Sequence, residues 1–327
     1  MKKNAIITFD YELFLGKQTG TIKNCVIKPT QLILELLQQN HAKAIFFIDA
    51  TWLLFIKKNS PGELKLVSEQ LKEIISIGSS VELHLHPHWI HAYREGNLIS
   101  FESFKNYKLH SFNQEEIVDL FKTSIELLES ITLQKIKCFR AGGFCIEPFD
   151  KIKPAFEMFE MKYDFSLVPG MYLRSGNPYD FDFSDAPKLV NYSFQNYVKV
   201  PEPQGQFTEV PISTYNNNPL YRFSNKVLLM LKNDRIFGDG KGIQDDLSFF
   251  SRLISKKLGF SRTILTLDQT SNSLFTYILR NHFRKTPLLV IISHPKTFSN
   301  QALLNLSFVT KLCNTLNTKD LDNILKT

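Results

Sequence analysis

The sequence predicts an α/β fold with a mainly parallel sheet, and three observations lead to that class. Short runs rich in β-branched and aromatic residues alternate with longer amphipathic segments, as in β-strand and α-helix units. Several short runs are continuously apolar, as expected of strands covered on both faces. The chain has 327 residues, a length that α/β barrels often reach as one domain. We therefore predict a single barrel domain over residues 1–327.

Seven segments have the length and composition of strands in such a fold. They are Ala5–Asp10, Ala44–Asp49, Val81–His86, Ile136–Arg140, Tyr163–Val168, Glu209–Ile212 and Leu288–Ser293. Polar side chains stand at the C-terminal ends of several of these segments, which is the edge where barrel enzymes collect their catalytic groups.

Helix signals fill the intervals between the strands. One helix begins at Pro29, because proline suits the first turn, and the segment after it has apolar residues on one face. Capping signals place the ends of the others. The predicted helices run from Ser60 to about Ile77 before Gly78, from Asn113 with Glu116 to about Ser130, and from about Ser299 to Leu316.

The alternation breaks between Tyr215 and Thr286. Helical patterns occur there near Ser224–Lys232, Asp245–Lys257 and Ser273–Arg284, without the regular strands that separate helices elsewhere. The stretch shows neither a linker nor a core of its own. We therefore predict an insertion around residues 215–286 that belongs to the same domain.

The composition is that of an ordinary globular protein, with 43% hydrophobic residues and a net charge of +7. Such a positive charge attracts nucleic acids, membrane surfaces and anionic glycans. The lysines and arginines are scattered, however, and no motif that stacks or reads bases accompanies them. The sequence therefore does not favour a nucleic-acid partner.

The cysteines and the N-terminus indicate a cytoplasmic protein. Cys25, Cys138, Cys145 and Cys313 show no CxxC spacing, so buried free thiols are expected instead of disulfides or a thiolate metal site. The first residues carry lysines but no apolar run long enough for a signal peptide. No apolar stretch approaches the roughly 20 residues that a transmembrane helix needs.

A pair of carboxylates follows the first predicted strand. In an extended chain, side chains two residues apart point to the same side, so Asp10 and Glu12 can converge while Tyr11 points away. Two converging carboxylates can serve a centre made of a metal ion and a water molecule. An acidic loop opening is the plain structural alternative.

Four of the eight histidines lie between His84 and His91. Imidazole is the commonest protein ligand for zinc and related ions. His84 and His88 can share an ion only if the chain turns between them, and Pro87 permits such a turn. In a straight strand, the pair is His84 with His86 or His86 with His88, whereas His91 is expected at the surface.

Two further polar residues end predicted strands. Arg140 precedes Gly142 and Gly143, and an arginine beside Asp10 would hold that carboxylate ionised, although a structural arginine would stand at the same place. The glycines would let the backbone approach a ligand closely. His294 ends an apolar strand, where it can act as a general acid or base or merely cap the strand.

Taken in order, these motifs resemble those of the polysaccharide deacetylase superfamily, the group that includes carbohydrate esterase family 4. The resemblance implies a distorted barrel of about seven β/α units, a divalent metal ion that is usually zinc, and hydrolysis of an N- or O-acetyl group on a sugar. The motifs that carry it are Thr8 to Glu12, Ala44 to Ile48, Gly78 to His88, Phe139 to Gly143, and Ile291 to His294.

The resemblance also implies a role for each position. Asp10 matches the catalytic base, Arg140 the arginine that tunes it, and His294 the general acid. The two metal histidines fall on His84 and His88.

The sequence departs from the common pattern at Tyr11 and His86. Tyr11 stands where the family usually has an aspartate ligand, so an Asp-x-Glu subgroup would make Glu12 the third ligand. His86 stands where threonine or serine is usual. His86 and Tyr11 are therefore possible additional ligands.

The expected function is removal of an N-acetyl or related acyl group from a sugar of cell-surface polysaccharide or glycolipid metabolism. The carbohydrate substrate would be free, lipid-linked or nucleotide-linked, with peripheral contact at the membrane if it is lipid-linked. The alternatives are a catalytically degenerate member of the same fold that binds glycan, and a hydrolase of a non-sugar C–N bond.

Overall fold

A computed structural model describes residues 3–16, 18–95, 98–101, 106–173, 180–242, 261–284 and 286–325. These residues form two compact units. Unit 1 takes the described residues of Met1–Ala44 and Ser213–Leu316, and unit 2 takes those of Ile45–Ile212 and Asn317–Thr327. Within the described ranges, no helix combines the length and hydropathy needed to cross a membrane.

The strands are numbered in chain order. They are β1 (Lys3–Tyr11), β2 (Ile45–Asp49), β3 (Ser80–Leu85), β4 (Ala92–Glu95), β5 (Leu98–Phe101), β6 (Cys138–Ala141), β7 (Tyr163–Asp164), β8 (Tyr172–Leu173), β9 (Phe181–Asp182), β10 (Tyr192–Phe194), β11 (Phe207–Glu209), β12 (Thr214–Asn217), β13 (Ser261–Ile264), β14 (Leu288–Ser293) and β15 (Cys313–Leu316).

The α-helices are numbered in the same way. They are α1 (Lys28–Gln39), α2 (Ala50–Asn59), α3 (Pro61–Ser76), α4 (Gln114–Thr132), α5 (Lys153–Met158), α6 (Pro219–Leu231), α7 (Asn272–Phe283), α8 (Asn300–Leu312) and α9 (Thr318–Ile324).

Unit 1 is built around strand β1. This strand pairs in parallel with β14 on one side and with β15 on the other. Its apolar side chains are fully buried, which explains the continuous apolar run in the sequence. Phe9 lies opposite Ser293, so the residues that follow these two positions, Asp10 and His294, lie at the same level of the sheet.

Unit 2 contains a six-strand sheet in the order β10, β11, β7, β6, β3 and β2. All neighbours pair in parallel except β10 and β11, which are antiparallel. The register places Asp49, His84 and Arg140 opposite one another on β2, β3 and β6. The carboxyl ends of these strands therefore present three polar side chains in one row.

The structure confirms the α/β class, with parallel strands and intervening helices as in a distorted (β/α) barrel. Each of the seven predicted strands is present. Two are shorter than predicted: Tyr163–Val168 pairs only over Tyr163–Asp164, and Glu209–Ile212 shifts to Phe207–Glu209. Short strands carry little periodic signal, which explains these shifts.

The predicted helices are confirmed with two corrections. The last helix ends at Leu312, and Cys313–Leu316 is strand β15, because pairing with β1 overrides the local helical pattern. Asn113 and Glu116 form the expected capping box. Ser60, in contrast, makes no side-chain capping bond although α3 begins after it.

That residues 215–286 form an insertion in the same domain remains a prediction. Two of the helices predicted within it are confirmed as α6 and α7. The helix predicted for Asp245–Lys257 lies outside the described residues. All four cysteines are buried and free, as expected.

Candidate active site

His294, in unit 1, is held by a carboxylate that the sequence reasoning missed. Asp268 Oδ2 lies 3.1 Å from His294 Nδ1 and also accepts a hydrogen bond of 3.0 Å from the His294 backbone nitrogen. An ionised carboxylate only accepts hydrogen bonds, so Nδ1 carries a proton. The other ring nitrogen, Nε2, lies 3.7 Å from Asp10 Oδ2 and 3.9 Å from Glu12 Oε1.

Asp268 is fixed by its neighbours in turn. Ser293 Oγ donates to its Oδ1, and Thr297 Oγ1 donates to its Oδ2 over 2.9 Å. Burial disfavours the charged form of His294, but the hydrogen bond to Asp268 and the charges of Asp10 and Asp268 outweigh burial and raise its pKa. The ring is 25% exposed, so solvent reaches it.

Glu12 has a cationic partner that the sequence reasoning also missed. Lys296 Nζ donates to Glu12 Oε1 over 2.7 Å and to the Leu13 carbonyl over 2.9 Å. Both charged side chains are buried, with Glu12 4% and Lys296 8% exposed. Unit 1 thus brings the predicted residues Asp10, Glu12 and His294 together and adds a lysine to them.

Tyr11 occupies the core. It is fully buried, and burial raises the pKa of its hydroxyl well above the usual value. A tyrosine binds a metal ion best as the phenolate, which this environment disfavours.

In unit 2, His84 has a defined tautomer. Its Nδ1 lies 2.7 Å from the Arg140 carbonyl oxygen, which can only accept, so Nδ1 carries the proton. The lone pair is then on Nε2. Histidines that bind metals commonly donate their second ring nitrogen to a carbonyl or carboxylate in this way.

The histidine cluster follows β3 into a 3₁₀ turn at Pro87–His91. The rings of His84 and His86 are 4.6 Å apart, and their ligand nitrogens lie within 4.8 Å of each other. The ring of His88 lies 5.6 Å from that of His86. The structure therefore brings His86 next to both other histidines.

His88 lies among aromatic rings. It stacks on Tyr107 with 5.3 Å between the ring centroids and contacts Phe101 at 4.9 Å. Its side chain is fully buried, whereas His91 is exposed as predicted.

His86 is held by a hydrogen bond to Thr51 and by the close approach of the Gly142 backbone. Thr51 Oγ1 donates to Asp49 in the same unit and accepts a bond of 3.0 Å from the His86 backbone nitrogen. A Cβ on Gly142 would lie 2.6 Å from His86 Nδ1 and 2.5 Å from the Leu85 carbonyl oxygen. Glycine is therefore required at position 142 to make room for the histidine, rather than for a ligand as the sequence suggested.

Arg140 is fully buried in unit 2. Its Nε donates to the Phe165 carbonyl over 3.0 Å, and its guanidinium lies 4.2 Å above the Phe47 ring. Its positive charge also acts on two buried carboxyl groups, Asp164 and Glu209, which lie opposite each other on β7 and β11.

These two carboxyl groups interact with each other inside the protein. Burial raises the pKa of Glu209 well above its usual value, and the Asp164 charge adds to the effect. Burial also raises the pKa of Asp164, although bonds to Glu209 and Ser166 oppose it. Burial and the nearby Asp164 therefore both favour the protonated form of Glu209.

This pair predicts a pH-dependent stability. Because the folded pKa of Glu209 exceeds the unfolded one, the folded state retains a proton that the unfolded state releases as the pH rises above about 4.3. The free energy of unfolding should therefore fall from pH 5 to pH 9. Glu209→Gln, which can still donate to Asp164, should weaken this fall when urea unfolding is measured at both pH values. An unchanged slope would contradict the raised pKa of Glu209.

Comparison with solved structures gives the fold. A proposed polysaccharide deacetylase from Mycobacterium smegmatis superposes with a TM-score of 0.53 at 13% identity, over 99% of this chain and 90% of that one. A family 4 carbohydrate esterase from Streptomyces lividans gives 0.42 at 9% identity, over 95% and 87% of the two chains. A family 4 pseudoenzyme from Bacillus anthracis gives 0.42 at 15% identity, over 98% and 65%.

The fold assignment rests on the first of these structures, since the other scores are below 0.5. The chain has the fold of a polysaccharide deacetylase, in agreement with the sequence motifs. Neither a protein-family model nor a curated protein sequence matches the chain.

Proposed function

We propose that the protein is a metal-dependent hydrolase that removes an N-acetyl or related acyl group from a sugar. The observation that carries the proposal is the orientation of His294. Asp268 fixes its Nδ1, while its Nε2 faces the Asp10 carboxylate at 3.7 Å. A carboxylate and an oriented imidazole are the base and the acid that hydrolysis of an amide requires.

The metal ligands we propose are His84 and His86, which lie together in unit 2, and Glu12, the third ligand that the resemblance implies, with zinc as the ion. One carboxylate and two imidazoles form a donor set that catalytic zinc commonly uses. The His84 bond to the Arg140 carbonyl supports this role, because it leaves Nε2 as the electron-pair donor. The ring separation of 4.6 Å favours His86 as its partner over His88, the partner that the resemblance implies.

The chemistry then divides among the side chains. A bound divalent ion supplies an acidified water and polarises the acyl carbonyl. Asp10 accepts the proton of the attacking water as the C–O bond forms. His294 Nε2 donates its proton to the departing nitrogen as the C–N bond breaks, giving a carboxylate and an amine. The raised pKa of His294 keeps that proton available.

Arg140 and Lys296 act as positioning residues in this proposal. Arg140 presents its carbonyl to His84 and, as the resemblance implies, orients the base Asp10. Lys296 donates to Oε1 of Glu12 over 2.7 Å and so fixes the direction of the carboxylate that we propose as a ligand.

Acetate release tests the function directly. The zinc-loaded protein is incubated with a nucleotide-linked and a lipid-linked N-acetyl sugar, and acetate is measured with a coupled assay. We expect release from at least one of them, abolished by replacing both Asp10 and His294 with alanine. Absence of release from both substrates, with metal bound, would exclude the proposed reaction on these sugars.

A second function, glycan binding without turnover, is favoured by one observation. The Lys296 cation sits on Glu12, and a positive charge there opposes the binding of a divalent cation. A purified protein that binds N-acetyl sugars but retains no stoichiometric metal would support this reading over the hydrolase.

Replacement of Lys296 tests whether a metal ion binds beside Glu12. Lys296→Met leaves the Glu12 carboxylate buried without its cation, so we expect the metal-free protein to lose about 3 kcal/mol of unfolding free energy. Zinc should restore stability to the variant more than to wild type, because the ion replaces the lost charge. Urea unfolding with and without zinc measures both effects.

Lys199→Met is the matched control, since Lys199 forms an exposed pair with Asp185. It should unfold like wild type under both conditions. Equal zinc responses for Lys296→Met and wild type would contradict a metal ion beside Glu12.

A further inference from the structure

Helix α6 exposes an apolar face. Leu220, Phe223, Val227, Met230 and Leu231 are 76%, 71%, 37%, 71% and 79% exposed. At 3.6 residues per turn, these side chains fall within an arc of about 100° around the helix axis. No side chain of α6 is buried among the described residues. The helix is therefore amphipathic with its apolar side turned outward.

The opposite face of α6 is anchored to the loop that holds His294. Asn225 Nδ2 donates to the Gln269 carbonyl over 2.9 Å, and its Oδ1 accepts from the Ser271 nitrogen over 2.7 Å. Gln269 directly follows Asp268, the residue that fixes the His294 ring. The polar face of α6 thus contacts the loop that carries Asp268. This contact leaves the apolar face of the helix turned away from that loop.

The C-terminal end of α6 is anchored as well. Lys232 Nζ donates to Gln301 Oε1 over 3.0 Å. Asp234 accepts from Ser299 Oγ over 2.7 Å and from the Gln301 nitrogen over 3.2 Å. Because these bonds hold the helix end against α8, the exposed face is a fixed surface of unit 1.

The charges around this face are positive. Arg222 and Lys226 lie on α6, which contains no acidic residue, and Lys232 and Arg235 follow its end. Asp234, the acidic residue beside them, is engaged by Ser299 and Gln301. By helical geometry, Lys226 lies beside one edge of the apolar stripe, whereas Arg222 lies on the opposite side of α6. A lysine beside an apolar stripe, with Arg235 after the end of the helix, is typical of helices that lie in the interface of an anionic bilayer.

We propose that α6 docks on an anionic lipid bilayer and that the acylated sugar is carried on a lipid in that bilayer. Phe223 and Met230, two large side chains of the stripe, insert among the lipid headgroups, while Lys226 and Arg235 contact lipid phosphates. The docking of α6 on the bilayer is independent of the reaction, whereas the lipid-carried substrate rests on the proposed function.

A second copy of the chain is a poorer occupant of this face. In a symmetric pair the same patch meets itself, so Lys226 and Arg235 of one copy would approach those of the other. Like charges at an interface oppose association. An anionic bilayer, in contrast, complements the whole patch.

Vesicle flotation tests the docking with the full-length protein. Vesicles of phosphatidylglycerol and phosphatidylcholine are compared with vesicles of phosphatidylcholine alone, at 0.1 M and 0.5 M salt. We expect wild type to float with the anionic vesicles at low salt only. Phe223→Ser/Met230→Ser should lower the bound-to-free ratio at least about tenfold, and Lys226→Gln/Arg235→Gln should lower it and weaken the salt effect.

The control Leu133→Ser/Met158→Ser removes two apolar side chains that are 88% and 63% exposed in unit 2. It should float like wild type. Three outcomes would overturn the proposal: no flotation of wild type, equal flotation of the α6 variant, or a dimer in sedimentation that the α6 substitutions dissociate. Destabilisation of that variant in urea would also overturn it, because residues of the same chain would then cover the face.

The reaction is followed separately. On a water-soluble N-acetyl sugar the α6 variant should release acetate at the wild-type rate, and on a vesicle-borne one it should be at least about tenfold slower. No acetate from wild type on either substrate would remove the proposed function while leaving the flotation result intact. Equal rates on the vesicle-borne substrate would remove the lipid-linked substrate.

Discussion

Asp10→Asn should release acetate about 10²–10⁴-fold more slowly than wild type, because the amide cannot accept the proton of the attacking water. Binding should change little, since asparagine keeps the shape of the side chain. The loss should therefore appear in kcat with a nearly constant KM. Steady-state kinetics of the zinc-loaded proteins measure this split.

Asp185→Asn is the matched control, because Asp185 is an exposed aspartate that pairs with Lys199. It should retain wild-type kinetics. Equal rates for Asp10→Asn and wild type would show that Asp10 is not the base. A loss confined to KM would instead assign Asp10 to substrate binding.

Removal of the metal should have an effect of the same size. We expect chelation to lower the rate more than about 10³-fold, since the polarisation of water and carbonyl is worth several kcal/mol. Among the variants, His84→Ala and His86→Ala should each lower zinc affinity at least about 100-fold in calorimetry. His88→Ala should change zinc affinity much less, because the His88 ring lies against Tyr107 and Phe101.

His91→Ala is the control within the same segment, since His91 is exposed. It should bind zinc like wild type. A large loss for His88→Ala with none for His86→Ala would reverse the assignment in favour of the pair implied by the resemblance. Full activity after chelation would exclude the metal from the reaction.

The parallel strands were predictable because their signal is local. Strand β1 has an apolar run just before Asp10, and the apolar strand β14 directly precedes His294. Since the register of parallel strands aligns their carboxyl ends, the neighbouring positions of Asp10 and His294 followed from the sequence.

The partners of the predicted residues could not be predicted in this way. Lys296 reaches Glu12 across 284 residues of sequence, and one lysine after His294 and Pro295 carries no signal of that contact. The sequence does contain a pattern that points to Asp268. The largely apolar segment Ile264–Leu267 directly precedes this aspartate, just as an apolar run in β1 precedes Asp10, and Thr266 forms a parallel bridge with Ile292 of β14.

The choice among the histidines also needed the structure. Sequence spacing left three possible pairs among His84, His86 and His88, because the answer depends on where the strand stops. Strand β3 ends at Leu85, and the turn that follows brings His86 against its neighbours on both sides. The aromatic surroundings of His88 come from distant segments, so no local pattern predicts them.

Anomalous diffraction at the zinc edge from crystals of the zinc-loaded protein tests the central claim most directly. The account predicts one strong peak about 2.0–2.2 Å from a Glu12 carboxylate oxygen and from the Nε2 atom of His84, with a second histidine completing the protein ligands. No peak, or a peak bound to other residues while Glu12 and His84 lie apart from it, would contradict the account.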